Sequence, residues 1–71
     1  MDFEHFYVNW YSRAKYFARE YVSLEEEAEN ITQDVFLDMY QKQVLFDGQI
    51  NQVAYLFTAI KNKCIDYLRR K

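Results

Sequence analysis

A chain of 71 residues with one cysteine and one histidine is sized for one domain and excludes an internal disulfide bond and a structural zinc site. No apolar run approaches the roughly 20 residues that cross a membrane, and no signal-peptide pattern is present, so we expect a cytoplasmic protein without a membrane partner. The net charge of −2 hides an asymmetry, because residues 1–60 carry four basic and ten acidic side chains whereas residues 61–71 carry five basic and one acidic.

This asymmetry suggests two partners of opposite charge. Basic side chains also suit a helix C-terminus, which accounts for residues 69–71 but poorly for Lys61 and Lys63.

The first predicted helix covers about residues 2–22. Aromatic and small side chains recur there at three- and four-residue steps and predict a core face. Its members are Phe3, Tyr7, Trp10, Ala14, Phe17, Ala18 and Tyr21. His5 falls on the opposite, polar face, where we expect a solvated side chain rather than a metal ligand.

The second predicted helix covers about residues 24–43. Ser23 and Glu26 have the spacing of a capping box, which predicts the helix start. The predicted core stripe consists of Ala28, Ile31, Val35 and Met39, with Thr32 and Phe36 on its flank. The opposite side is polar, with Leu37 at its centre and Tyr40 beside it. This pattern fits a docking face for a partner and, equally, one stray exposed apolar side chain.

Residues 44–51 form the predicted loop, with a turn signal at Asp47-Gly48 and Asn51 as the N-cap of the next helix. Phe46 beside the turn packs into the core in one interpretation and forms an exposed platform in another.

The third predicted helix covers about residues 52–70. Its predicted core side chains are Val53, Leu56, Phe57, Ile60, Cys64, Tyr67 and Leu68, so Cys64 is expected to be a buried hydrophobe. The outer face comprises Tyr55, Thr58, Ala59, Asn62, Asp66 and Arg69. Aromatic, amide and hydroxyl groups followed by a basic end suit unpaired bases with phosphates beyond them, although an ordinary interaction surface remains open.

Together these helices predict an all-α three-helix bundle with an aromatic-rich core. The sequence contains no glycine-rich phosphate loop, metal-ligand cluster or nucleophile–base pair. An enzyme is therefore the weakest class, and we expect no cofactor and no metal.

Two blocks of the sequence resemble a known family. AENITQDVFLDMY, residues 28–40, resembles the AED-x-x-Q-D/E-x-F-L-x-L/M-W/Y signature in region 2 of bacterial sigma factors, most closely the extracytoplasmic-function (ECF) group of the sigma-70 family. AYLFTAIKNKCIDYLRR, residues 54–70, resembles the W-L-F/Y-x-I-A/V-R/K-N block that follows in that family.

The resemblance implies a transcription initiation factor domain that binds core RNA polymerase and opens the promoter. The residues implied to dock on the coiled coil of the beta-prime subunit are Asn30, Gln33, Asp34, Leu37 and Tyr40. Those implied to bind the non-template strand of the minus-10 element as single-stranded DNA are Phe46, Tyr55, Lys61, Asn62, Lys63, Arg69 and Arg70. Phe46 and Asn62 would form the pocket for a flipped base, and the basic residues would hold phosphates.

Two departures from the family pattern affect the implied contacts: Asn30 stands where Asp is usual, and Tyr55 stands where Trp is usual. The chain also lacks the second helical domain that reads the minus-35 element, so we expect an excised domain or a truncated product. An anti-sigma factor is a further partner that the resemblance allows. The alternative function is a small helical protein-interaction module without DNA binding, which would use the same face around Leu37.

Overall fold

Three helices form the described part of the chain, which in this computed structural model comprises residues 3–43 and 51–70. Helix α1 is Phe3–Arg19, α2 is Glu25–Gln41 and α3 is Gln52–Arg70. Each helix contacts the other two, so the helices surround one core and the predicted all-α three-helix bundle is confirmed. None of the helices in these ranges is long and apolar enough to cross a membrane.

The connection between α1 and α2 differs from the prediction. α1 ends at Arg19, although the N–H groups of Tyr21 and Val22 still bond to the Ala18 carbonyl, each at 3.0 Å. The N-cap of α2 is Leu24, whose backbone is extended (φ −87°, ψ 122°). No side chain forms a capping hydrogen bond at this end of the helix. The predicted capping box is therefore wrong: Ser23 lies one residue before the N-cap and caps nothing.

The start of α3 and the end of α2 have common capping geometries. Asn51 caps α3 as predicted, because its side-chain oxygen accepts a hydrogen bond of 3.0 Å from the N–H of Ala54. At the end of α2, Gln43 adopts a left-handed conformation (φ 54°), and its N–H bonds to the Tyr40 carbonyl at 3.2 Å. This conformation turns the chain out of the helix.

The core contains the predicted stripe of α2 and the two residues predicted on its flank, and all six side chains are buried. Phe6 is 1% exposed although it lies outside the predicted stripe of α1, because a helix that packs against two neighbours buries a wider arc than one stripe. Leu68 was predicted to be in the core and is 45% exposed, since Cys64 is the last fully buried residue of α3 and the final turn extends past the core.

Aromatic rings join the helices. Phe36 of α2 contacts four rings of α1, with centroid distances of 4.9 to 6.4 Å: Phe3, Phe6, Tyr7 and Tyr11. Phe57 of α3 contacts Trp10 at 6.1 Å and Phe17 at 5.1 Å, both nearly perpendicular to it. These ring contacts, most of them edge-to-face, fix the rotation of α2 and α3 about their axes and so determine which residues reach the surface.

Candidate functional site

The outer side of α2 is exposed, as the sequence predicted. Leu37 is 54% and Tyr40 57% exposed, and the three polar residues predicted beside them are exposed too: Asn30, Gln33 and Asp34. Leu37 is thus an apolar side chain in solvent next to amides and a carboxylate. Such a surface can bind a partner through a small apolar contact with a polar rim.

An apolar groove of about 510 Å³ lies between α1 and α2 at this point. Its lining, which we call the α1–α2 groove, consists of Phe3, Tyr7, Gln33, Phe36, Leu37 and Tyr40. The Tyr40 ring packs 4.9 Å from the Phe3 ring, and Gln33 Nε2 donates a hydrogen bond of 3.3 Å to the Tyr11 hydroxyl. Burial raises the pKa of the Tyr7 hydroxyl above its ordinary value.

Asn30 and Asp34 do not line the α1–α2 groove. They lie on a second groove, of about 240 Å³, which we call the α2–α3 groove; it is lined by Glu27, Asn30, Ile31, Asp34, Lys63, Asp66, Tyr67 and Arg70. The residues that the resemblance assigned to the polymerase are therefore divided between two grooves. Two of them share a groove with Lys63 and Arg70, which the resemblance assigned to DNA.

The outer side of α3 carries a third groove, of about 450 Å³, lined by Asn51, Ala54, Tyr55, Thr58, Ala59 and Asn62. This α3 groove brings together Tyr55 and Asn62, as predicted, and none of the described residues that line it is charged. Tyr55 is partly buried, and its hydroxyl donates a hydrogen bond of 3.3 Å to Asp38 Oδ2 of α2. An aromatic ring, a hydroxyl and an amide along one groove can stack on a planar group and bond to its polar edge.

Asn62 is exposed, and so are four basic side chains of the same helix, α3: Lys61, Lys63, Arg69 and Arg70. Within residues 3–43 and 51–70, none of the four basic side chains forms an ion pair. No carboxylate of these ranges occupies their donors, which can contact anions.

One predicted site residue cannot be placed, and one residue that was not predicted belongs to the site. Phe46 lies outside the described residues. Asp38, to which the sequence assigns no role, accepts a hydrogen bond from the Tyr55 hydroxyl and forms an ion pair with Lys42, whose Nζ lies 3.3 Å from Asp38 Oδ1. Sequence spacing links Lys42 to Asp38 across one helical turn, but no signal pairs Asp38 with Tyr55, which lies 17 positions away.

Comparison with known proteins gives a consistent result. A family model described as sigma-70 region 2 matches residues 6–71. A probable RNA polymerase sigma factor of Haemophilus influenzae is 36% identical over 55 residues, which are 78% of this chain and 28% of that protein. The chain therefore spans little more than a quarter of the length of this curated relative. No solved structure matches the chain significantly.

Proposed function

Because this chain belongs to the sigma-70 region 2 family, it is a sigma-factor domain of transcription initiation, and we propose that it docks on core RNA polymerase through α2 and binds promoter DNA through α3. The observation that carries this proposal is the α3 groove with Tyr55 and Asn62, on a helix whose four exposed basic side chains make no ion pair within the described ranges.

The polymerase contact is proposed for the exposed side of α2. Leu37 and Tyr40 supply an apolar centre, and Asn30, Gln33 and Asp34 supply polar groups around it. An α-helical coiled coil with basic side chains, such as that of the beta-prime subunit, would place an apolar residue in the α1–α2 groove and pair an arginine with Asp34. Asn at position 30 in place of the family's Asp removes one charge-assisted contact from this interface.

The DNA contact is proposed for the α3 groove. A base of the separated non-template strand would stack on the Tyr55 ring and bond through its polar edge to Asn62, which both donates and accepts. Lys61, Lys63 and Arg69 would hold phosphates, which position the strand without reading its sequence. Arg70 would share this role at the edge of the α2–α3 groove.

A pull-down of the chain by a fragment of the beta-prime coiled coil tests the polymerase contact. We expect wild type to bind at concentrations on the order of 50 µM and the double variant Gln33→Ala/Leu37→Asp to lose binding. The matched control is Val8→Asp, since Val8 is an apolar residue of α1 that is 71% exposed and lines none of the three grooves.

Each other outcome has a definite meaning. No binding by wild type would refute the polymerase contact and favour a helical protein-interaction module without a DNA role, for which the exposed Leu37 and Tyr40 are the specific observation. Binding that survives Gln33→Ala/Leu37→Asp would move the interface away from the α1–α2 groove. Loss of binding in Val8→Asp would show that added negative charge, rather than this groove, decides the result.

A further inference from the structure

We propose that Asp38 is a positioning residue for base recognition, because it holds Tyr55 at the orientation in which the ring forms one wall of the α3 groove. This inference rests on the proposed function and deepens it. Asp38 lies on α2, between residues assigned to the polymerase contact, but its carboxylate faces α3 and bonds there.

The contact geometry is specific. The Tyr55 hydroxyl donates to Asp38 Oδ2 at 3.3 Å, and Lys42 Nζ lies 3.3 Å from the other carboxylate oxygen. The three side chains therefore form one chain of contacts from the last turn of α2 to the first turn of α3. Asp38 is the only member that touches both of the others.

The hydrogen bond of the Tyr55 hydroxyl fixes the tilt of the ring, on which stacking depends. A tyrosine ring can still swing about its two side-chain bonds when its base is packed against a helix, and a hydrogen bond at its tip removes that freedom. Tyr55 lies seven residues before Asn62, or about two helical turns, so both side chains face the same groove. A base that bonds to Asn62 needs the Tyr55 ring at one fixed tilt in order to stack on it.

The residue type at position 55 strengthens this interpretation. The family resemblance leads one to expect tryptophan there, and this chain has tyrosine instead. The tyrosine hydroxyl is the atom that Asp38 binds. The Asp38–Tyr55 hydrogen bond therefore depends on the tyrosine that this chain has in place of the family's tryptophan.

A purely stabilising role explains the pair less well. The Asp38 side chain is 35% exposed, and a bond of 3.3 Å that solvent can reach adds little to stability. An acidic group beside a DNA-binding surface also repels phosphates, and Lys42 offsets that charge on the side away from Tyr55. Asp38 therefore remains the hydrogen-bond acceptor for Tyr55, while Lys42 reduces the repulsion between the Asp38 carboxylate and the DNA phosphates.

The test measures base preference in the complex with core RNA polymerase. The affinities of single-stranded oligonucleotides that differ at one base are compared for wild type, Asp38→Ala, Tyr55→Phe and the double variant. We expect each single variant to lower the discrimination between the preferred base and the others by about two- to fivefold. The double variant should lose no more than either single variant, because both remove the same hydrogen bond.

Two further variants separate positioning from charge and folding. Asp38→Asn keeps an acceptor oxygen and should restore most of the discrimination that Asp38→Ala loses. Lys42→Gln removes the other contact of Asp38 and should leave base preference at the wild-type value. Circular dichroism and the urea midpoint of each free chain establish that the variants are folded.

The negative outcomes are distinct. Unchanged base preference in Asp38→Ala and Tyr55→Phe, with wild type still selective, would overturn the positioning role and leave the proposed function in place. Additive losses in the double variant, or a loss in Lys42→Gln equal to that in Asp38→Ala, would also overturn it. If the wild-type complex binds no oligonucleotide, the proposed DNA contact fails and this inference fails with it.

Discussion

The Cys64 thiol of α3 lies 3.9 Å from the carbonyl oxygen of Ala18 in α1, so a nucleophilic group lies inside the core where these two helices are in contact. Both residues are fully buried, and burial raises the pKa of the thiol. The group is therefore kept protonated and inaccessible, as a small hydrophobic side chain would be.

We expect Cys64 to become reactive only on unfolding. In the native chain it should react with iodoacetamide at least about tenfold more slowly than in the urea-unfolded chain, because the reactive thiolate is both disfavoured and shielded. Mass spectrometry of the alkylated chain follows both rates. Equal rates in the two states would contradict the burial of this thiol.

The raised pKa also predicts a pH dependence of stability. Since the unfolded thiol loses its proton near its ordinary pKa of 9.0 and the native thiol only at higher pH, the free energy of unfolding falls as pH rises past 9.0. Cys64→Ala lacks this contribution and serves as the control for all other groups. The stability difference between the two chains, from urea unfolding, should shrink between about pH 7 and pH 10; a constant difference would refute the prediction.

Two adjacent residues of α2 should differ sharply in their effect on stability. Phe36 is 1% exposed and contacts four aromatic rings of α1, so Phe36→Ala should cost about 3–5 kcal/mol, enough to unfold much of so small a domain. Leu37 is 54% exposed, and Leu37→Ala should change stability by less than about 0.5 kcal/mol. Urea unfolding followed by circular dichroism compares them, and similar losses would mean that α2 is rotated about its axis.

Substitution of the two candidate capping residues, Asn51 and Ser23, should have different effects on stability. Asn51→Ala should cost about 1 kcal/mol because Asn51 bonds to the N–H of Ala54, whereas Asn51→Asp keeps the acceptor and should cost little. Ser23→Ala should have almost no effect, since Ser23 lies outside the start of α2. A cost for Ser23→Ala equal to that of Asn51→Ala would mean that a capping box forms at α2 after all.

Arg69 should affect the strength of DNA binding but not its sequence preference. Arg69→Ala should weaken binding of every single-stranded oligonucleotide to a similar extent and reduce the slope of log affinity against log salt by about 0.7, because one phosphate contact is lost. Arg13, which stacks on Trp10 of α1 at 5.2 Å, is the control with the same loss of charge. A sequence-dependent effect of Arg69→Ala, or an equal effect of Arg13→Ala, would argue against a phosphate contact.

Asn62 should affect the sequence preference of DNA binding and have little effect on its dependence on salt. Asn62→Ala should reduce the preference for one base in the polymerase-bound state by about 1–3 kcal/mol and change the salt slope little, because an amide reads a base edge and carries no charge. Asn9→Ala removes an exposed amide from α1 and is the control. Wild-type preference in Asn62→Ala would exclude the α3 groove as the base pocket.

The bundle itself was largely predictable. The three-helix pattern, the six core residues of α2 and the N-cap at Asn51 all follow from local spacing, since a helix repeats every 3.6 residues and a cap acts within one turn. The errors are at Ser23, Phe6 and Leu68. Each depends on where neighbouring helices begin, end and pack, which local spacing does not specify.

The candidate site divides in the same way. The chemical groups on α2 and α3, and the exposure of Leu37, Tyr40 and Asn62, follow from the order of the residues, because helical period and apolar content define the sides of each helix. Two contacts between helices do not: Asp34 shares a groove with Arg70, and Asp38 meets Tyr55. Those contacts depend on the rotation of one helix against another, and the aromatic contacts of Phe36 and Phe57 in the core set that rotation.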